Sequence, residues 1–185
     1  MSGVSRREII AAGLVFGAVS PARAQVGQTA WDFGFPNIEG GTLLLGDYKG
    51  NALVVVNTAS FCGFTYQYEA LEKLHKTRKA SGLVVIGVPS GDFHQESDSN
   101  AKVKTFCESR FGVDFPMAGI SKVMGEDAAP FYKWVKAERN WEPSWNFNKV
   151  VIGRDGRIVG CFGSGDEPEG ARVQAALGKA LAVGA

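Results

Sequence analysis

Leu83-Val84-Val85-Ile86-Gly87-Val88 is apolar at every position. A strand with one face in water alternates polar and apolar residues. A run without alternation is typical of a strand covered on both faces. Leu53-Val54-Val55-Val56 is a second such run. Between the two, Tyr68, Leu71 and Leu74 fit a helix over residues 63–78, which Ser81-Gly82 ends. Pro89 to Asn100 is polar and reads as a loop, and Ala101 to Arg110 predicts a short helix. Ala128 to Ala137 predicts another, with Phe131, Trp134 and Val135 on one side. Lys149 to Ile152 and Arg157 to Phe162 bracket the turn Arg154-Asp155-Gly156 as a hairpin, and an amphipathic helix follows over 170–181. Upstream, Thr29 to Phe35 and Gly41 to Leu45 flank Asn37-Ile38-Glu39-Gly40 as an N-terminal β-hairpin. This alternation predicts an α/β sandwich with parallel and antiparallel strands together.

With 185 residues, 45% of them hydrophobic, the chain has room for one domain with a proper core. Its net charge is +1, and without residues 1–24 it holds 17 basic and 18 acidic residues, a net of −1. No basic stripe or aromatic-basic interleaving occurs, which argues against nucleic acid and anionic membranes as partners. Residues 1–24 read as an export signal, with 25–185 as the folded domain. Ser5-Arg6-Arg7 supplies a basic start, Ile9 to Val19 a short apolar run, and Ala22-Arg23-Ala24 small residues for cleavage. The paired arginines resemble a twin-arginine address. The expected location is the periplasm, with no stable membrane insertion once the signal is removed.

Cys62 is the residue most suggestive of chemistry. The run ending at Val56 continues as Asn57-Thr58-Ala59-Ser60-Phe61-Cys62-Gly63, delivering the cysteine to the start of the expected helix. Unpaired amides at a helix start favour an anionic sulfur, the attacking form of cysteine. Most single cysteines simply pack in a core. Gly63 beside the sulfur and polar residues on both flanks are not a core composition. Three cysteines, Cys62, Cys107 and Cys161, are an odd number for an exported chain, which leaves room for a reactive thiol. Cys161, beside Phe162, reads as a packed thiol, His75 as helix surface and His94 as loop. These spacings carry no metal-ligand signature.

The segment from Val56 to Tyr68 closely resembles the signature of the glutathione peroxidase family in its cysteine form. Phe106-Cys107 with Phe111-Gly112-Val113-Asp114-Phe115-Pro116-Met117 resembles a second family block, and Trp145-Asn146-Phe147-Asn148-Lys149 a third. The resemblance implies a thioredoxin-like fold, a central mixed sheet with flanking helices. It also implies a thiol peroxidase that holds no bound cofactor and consumes a thiol reductant, either a thioredoxin-like protein or glutathione. A constellation of cysteine, glutamine, tryptophan and asparagine is implied too. Cys62 takes the nucleophile position, Trp145 offers an indole N–H and Asn146 an amide. Read from the residues alone, Trp145 and Phe147 fit an aromatic core cluster at the start of a strand better, and only the resemblance raises Asn146 beside Trp145 above it.

At the glutamine position this chain has Asp92, in Val88-Pro89-Ser90-Gly91-Asp92-Phe93. An ionised aspartate only accepts hydrogen bonds and repels a thiolate. If Asp92 lies near Cys62, it must therefore be protonated, be held by donors such as backbone amides or Trp145, or point away. If protonated, it could hand its proton to the leaving oxygen. Ser90 stands where some members carry a cysteine. Cys107 stands at the resolving position of the thioredoxin-using members, although its spacing with Phe106 and Phe111 also suits a buried helical cysteine. The short stretch from Ala137 to Trp145 resembles the monomeric branch, which accepts bulky lipid hydroperoxides.

Rival readings on a compatible fold are weaker. Threonine at 65 leaves Cys62-Gly63-Phe64-Thr65 without the second cysteine of a thiol–disulfide oxidoreductase. The approach to Cys62 lacks the proline and threonine of a peroxiredoxin, and no second cysteine near Tyr66 suits copper delivery. A peroxide-sensing relay that oxidises a partner protein is the remaining alternative.

Overall fold

The computed structural model describes residues 27–183. Its centre is β3 (Ala52–Thr58), all seven residues of which are buried. β4 (Leu83–Pro89) runs parallel to β3 on one side. On the other side β5 (Lys149–Ile152) is antiparallel to β3, and β6 (Ile158–Phe162) is antiparallel to β5. The sheet order is β4-β3-β5-β6. β1 (Gly34–Pro36) and β2 (Thr42–Leu44) form a separate antiparallel hairpin. The α/β class, the mixed sheet and the N-terminal hairpin are as the sequence predicts.

The unbroken apolar runs have the expected cause. Successive side chains of a strand point to opposite faces, and each face has its own core. Val54, Val56 and Val85 pack with Leu71 and Leu74 of α1 (Gln67–Arg78), with Val103 and Cys107 of α2 (Asn100–Phe111), and with Val173 and Leu177 of α4 (Ala171–Ala182). Leu53, Val55 and Ile86 pack instead with the hairpin residues Phe35 and Leu43 and with Phe131 and Val135 of α3 (Pro130–Arg139). Removing a fully buried Phe131-sized side chain from water contributes roughly 2–3 kcal/mol.

Helix ends follow local chemistry. Ser99 caps α2 by accepting from the Lys102 N–H. Gly112 closes α2 with φ 60°, a left-handed conformation that needs no Cβ clearance in glycine. Pro130 opens α3, where its missing N–H costs nothing. Two expectations fail. Thr29 to Phe33 is not strand: Ala30–Asp32 forms a 3-10 turn, tied by the Asp32 carboxylate accepting from the Thr29 N–H at 2.8 Å. His75 is not surface: it is buried, and its Nδ1 accepts from the Val85 N–H at 3.3 Å. Burial holds its imidazole below the ordinary value.

Candidate active site

The penultimate residue of β3 is a fully buried polar one, Asn57, whose polar groups are used on one segment. Its Nδ2 donates to the Trp145 carbonyl at 2.9 Å and its Oδ1 accepts from the Asn148 N–H at 3.1 Å. Its backbone carbonyl accepts from the Phe147 N–H at 2.6 Å. Buried polar groups left unpaired cost about 1–3 kcal/mol each, so this network pins residues 145–148 to the end of β3. Ser164 braces the same segment from outside, donating to the Asn146 carbonyl at 2.6 Å and accepting from Asn148 Nδ2 at 2.9 Å.

Within that segment the two aromatics part company. Phe147 is fully buried, with its ring edge-on to Tyr68 at 5.2 Å, and it adopts φ 60°. A non-glycine residue there is uncommon and marks a backbone held by its surroundings. Trp145 remains 40% exposed, its ring 5.4 Å from that of Phe93. Asn146 is fully buried between them.

Cys62 lies four residues beyond the end of β3 and is nearly buried. It does not start a helix, as the sequence suggested. Residues 63–66 form tight turns: the Thr65 N–H donates to the Cys62 carbonyl at 3.1 Å and the Gln67 N–H to the Phe64 carbonyl at 3.0 Å. α1 begins only at Gln67. The sulfur instead faces one backbone donor, the Phe64 N–H at 3.5 Å, and a charged acceptor strengthens such a bond. No atom outside residues 62–64 lies within 4 Å of where a Cβ on Gly63 would stand, so the space beside Gly63 is open.

A loop between β4 and α2 grips the residues just before Cys62. The Gln95 carbonyl accepts from the Phe61 N–H at 2.9 Å. Glu96 Oε1 accepts from the Ser60 N–H at 3.1 Å and the Ser97 N–H at 2.7 Å. Burial pushes the Glu96 carboxyl above its ordinary value, against these donors. The Gln95 side chain reaches the other segment, its Oε1 accepting from Asn146 Nδ2 at 3.0 Å. Cys62, Trp145 and Asn146 thus stand on two segments joined through Gln95.

Asp92 takes no part in that junction. Its carboxylate accepts from the Val123 N–H at 2.7 Å and the Met124 N–H at 3.3 Å, and it pairs with Lys122 Nζ at 2.9 Å. Burial raises its carboxyl, but these donors outweigh that and hold it below the usual carboxylate range. Of the three possibilities the sequence left open, Asp92 is held by donors. These donors stabilise the charged form, which weighs against a protonated Asp92 serving the leaving oxygen.

Cys107 is buried in α2, and burial pushes its thiol up to about 11, partly offset by the Tyr68 hydroxyl. Val103 and Cys107 are the only fully covered residues of α2, and its half-buried Phe106 and Phe111 also pack against the core, with the Phe111 ring 5.1 Å from that of Tyr68. Cys161 lies half-buried in β6, its thiol also pushed to about 11 by burial. All three cysteines are free. Among the described residues no cluster of three or more His, Cys, Asp or Glu could hold a metal ion, and no helix is long and apolar enough to cross a membrane.

Lys149, read in the sequence as the end of the third block and the first residue of a strand, is fully buried beside this site. Its Nζ donates to Gln67 Oε1 at 2.6 Å and to the Asp166 carbonyl at 2.8 Å. Desolvation lowers it from 10.5 to about 8, opposed by Glu167 and Asp166. Between those values the unfolded chain binds the proton more fully than the folded one, so this group makes stability rise with pH across the window. The stability gap between wild type and Lys149→Met, from urea titrations at pH 7 and 10, is expected to shift toward wild type by on the order of 2–3 kcal/mol. A pH-independent gap would contradict it.

Sequence reasoning missed Asn57, Gln95, Glu96 and Lys149. Two of them carried a usable signal: Asn57 and Lys149 are polar residues at the ends of buried apolar runs and so need partners inside. Gln95 and Glu96 lie in a polar loop with no periodicity.

Comparison with known proteins gives a consistent result. The family model described as Glutathione peroxidase matches residues 30–136. A glutathione peroxidase of Lactococcus lactis subsp. cremoris is 42% identical, the match covering 75% of this chain and 92% of that one. A hydroperoxy fatty acid reductase of Synechocystis is 34% identical over 79% of this chain and 93% of that one. The crystal structure titled Trgpx in apo form superposes with a TM-score of 0.67 at 36% identity, covering 83% of this chain and 96% of its own. A thioredoxin family thiol:disulfide interchange protein of Chlorobium tepidum reaches 0.58 at 16% identity, over 80% and 92% of the two chains, a likeness of thioredoxin-like fold alone.

Proposed function

Since this chain belongs to the glutathione peroxidase family and is a thiol-dependent peroxidase, we propose that Cys62 is its peroxide-reducing nucleophile. The Cys62 thiolate attacks the terminal, hydrogen-bearing oxygen of a hydroperoxide. An S–O bond forms, the O–O bond breaks, and the alkoxide or hydroxide that leaves takes a proton from solvent. The sulfur is oxidised by two electrons to a sulfenic acid. Trp145 and Asn146, on the segment tied to the cysteine loop, are the groups assigned to the departing oxygen, where developing charge most needs stabilising. The observation that carries this reading is the chain of hydrogen bonds from Phe61 through Gln95 to Asn146, which ties the cysteine loop to the Trp-Asn segment.

Cys107 then attacks the sulfenic sulfur, an S–S bond forms and water leaves. A disulfide needs Cβ atoms about 3.5–4.5 Å apart. With Cys107 in the core, α2 must open for this step, releasing Val103, Cys107 and the packed rings of Phe106 and Phe111. A thioredoxin-like protein or glutathione restores both thiols. Hydrogen peroxide and organic or lipid hydroperoxides are the substrates. Phe61, Tyr66 and Trp145, which are 68%, 52% and 40% exposed, give the surroundings of Cys62 an apolar character suited to acyl chains. The name of the Synechocystis relative points the same way. The enzyme acts as a monomer in the periplasm, exported by residues 1–24; that segment lies outside the described residues, and its support is the paired arginines and the apolar run.

The test is the mass of the full-length mature protein after one equivalent of hydroperoxide. Loss of two protons, with a peptide linking Cys62 to Cys107, is expected in the wild type. Cys107→Ser is expected to gain one oxygen at Cys62 instead. Oxygen at Cys62 in the wild type, with Cys107 still open to alkylation, would mean a one-cysteine cycle resolved by an external thiol. An inert Cys62 would overturn the nucleophile assignment.

A further inference from the structure

Beneath α2 the closed core buries polar side-chain atoms that find no partner among the described residues. Tyr68, the second residue of α1, is fully buried, and its hydroxyl makes no hydrogen bond there. Thr58 and Cys107 are its polar neighbours, yet neither is placed to complete a bond with it. The Thr58 hydroxyl, fully buried at the end of β3, is likewise unpartnered among these residues. So are the Ser60 hydroxyl and Glu96 Oε2, which adjoin where Glu96 Oε1 accepts from the Ser60 N–H. The Glu96 charge is felt at both Tyr68 and Cys107.

Packing of the Tyr68 ring explains why its hydroxyl stays there. The ring lies 5.1 Å from Phe111, 6.5 Å from Phe115 and 5.2 Å from Phe147. It is therefore fixed by α2, by the segment after α2 and by the Trp-Asn segment. A ring held on three sides in a close-packed core cannot swing its hydroxyl to another partner. Phenylalanine would fill the same space with no polar atom to bury. The hydroxyl thus weakens the packed state at the contact that α2 must break. Once α2 lifts, Cys107 and Phe111 leave, and water reaches the hydroxyls of Tyr68 and Thr58.

We propose that Tyr68 is a positioning residue for the resolving step: with Thr58, it lodges Cys107 in a core whose hydroxyls gain hydrogen bonds only when α2 opens. This rests on the two-cysteine reading above and adds to it the groups that bring the opening within reach. Opposing effects act on the helix. Val103, Phe106 and Phe111 hold it closed by apolar contact, whereas the unpartnered hydroxyls favour its release. Oxidation of Cys62 by peroxide needs no such opening, so the two steps respond differently to loss of a hydroxyl. No proton or electron passes through Tyr68 or Thr58.

Tyr68→Phe and Thr58→Val each delete one hydroxyl and keep nearly the same shape. Amide hydrogen exchange over residues 100–111 is followed in the reduced full-length mature protein, in wild type and both variants at pH 7. In parallel, the Cys62–Cys107 disulfide is trapped by acid quench at intervals after one equivalent of hydrogen peroxide. Each variant is expected to slow exchange in α2 and disulfide formation together, by about fivefold to a hundredfold. The first oxidation of Cys62 is expected to match wild type. Under excess peroxide a second oxygen should accumulate at Cys62, since its sulfenic acid waits longer for Cys107. Exchange in α2 that is unchanged or faster in Tyr68→Phe would overturn the assignment. So would slower exchange with disulfide formation at the wild-type rate, or Cys62 oxidation falling in step with disulfide formation. A wild type that forms no Cys62–Cys107 disulfide would instead overturn the two-cysteine reading on which it stands.

Discussion

Serine at position 62 is expected to abolish hydroperoxide reduction, by at least about a thousandfold, with the fold left intact. A neutral hydroxyl is a poor nucleophile, and the site contains no imidazole to activate one. His75 is spent on the Val85 amide and His94 is exposed in its loop. The turn at residues 62–65 is held by backbone bonds that serine leaves alone, and the single sulfur contact, the Phe64 N–H, can pass to a hydroxyl. Direct loss of hydrogen peroxide, measured beside the thermal midpoint, separates the two effects. Residual turnover above a few per cent of wild type would place the peroxide chemistry elsewhere in the chain.

Phe147→Ala is expected to cost about 3–5 kcal/mol of stability, the range for emptying a buried aromatic site. Phe147 fills the core under the site, packed edge-on against Tyr68, which in turn lies against Phe111 and Phe115. It also holds the left-handed backbone that directs Asn146 and Asn148 to their separate partners. Removing the ring should therefore slow peroxide attack in the protein that still folds. Urea denaturation gives the first quantity and stopped-flow oxidation of Cys62 the second. A loss below about 1 kcal/mol would mean that the network around Asn57 alone holds the segment.

The architecture was legible because its cause is local and repeated. Valine-rich runs without polar alternation must be covered on both sides, and the helices that cover β3 and β4 showed their own apolar spacing. Element boundaries slipped where turn chemistry competed with periodicity. The stretch from Gly63 to Tyr66 has residues that a helix tolerates, yet 3-10-type bonds close it into turns. His75 was misread because α1 is covered by more than its apolar stripe: residues 72 and 75 face β4 and the segment after α2.

Cys62, Trp145 and Asn146 could be singled out from the chain because they fall in dense, distinctive blocks. What each does with its polar atoms could not. Sequence order carries no information about which of two nearby polar residues, Asp92 or Gln95, meets Asn146 across 51 positions. That choice is made by three-dimensional competition among donors. The Val123 and Met124 amides and Lys122 lie where they capture a carboxylate, which removes Asp92 from the site and leaves the junction to an amide. By itself the sequence determined the α/β sandwich, since hydrophobic periodicity acts over short stretches, and Cys62 as the nucleophile candidate; the Trp145-Asn146 pair came from the resemblance of its block to the family's. Only the tertiary structure decided that Cys107 is sealed in the core, that Lys149 is buried and that Gln95 bridges the site. Burial and hydrogen-bond pairing between distant segments exist only once the chain has folded.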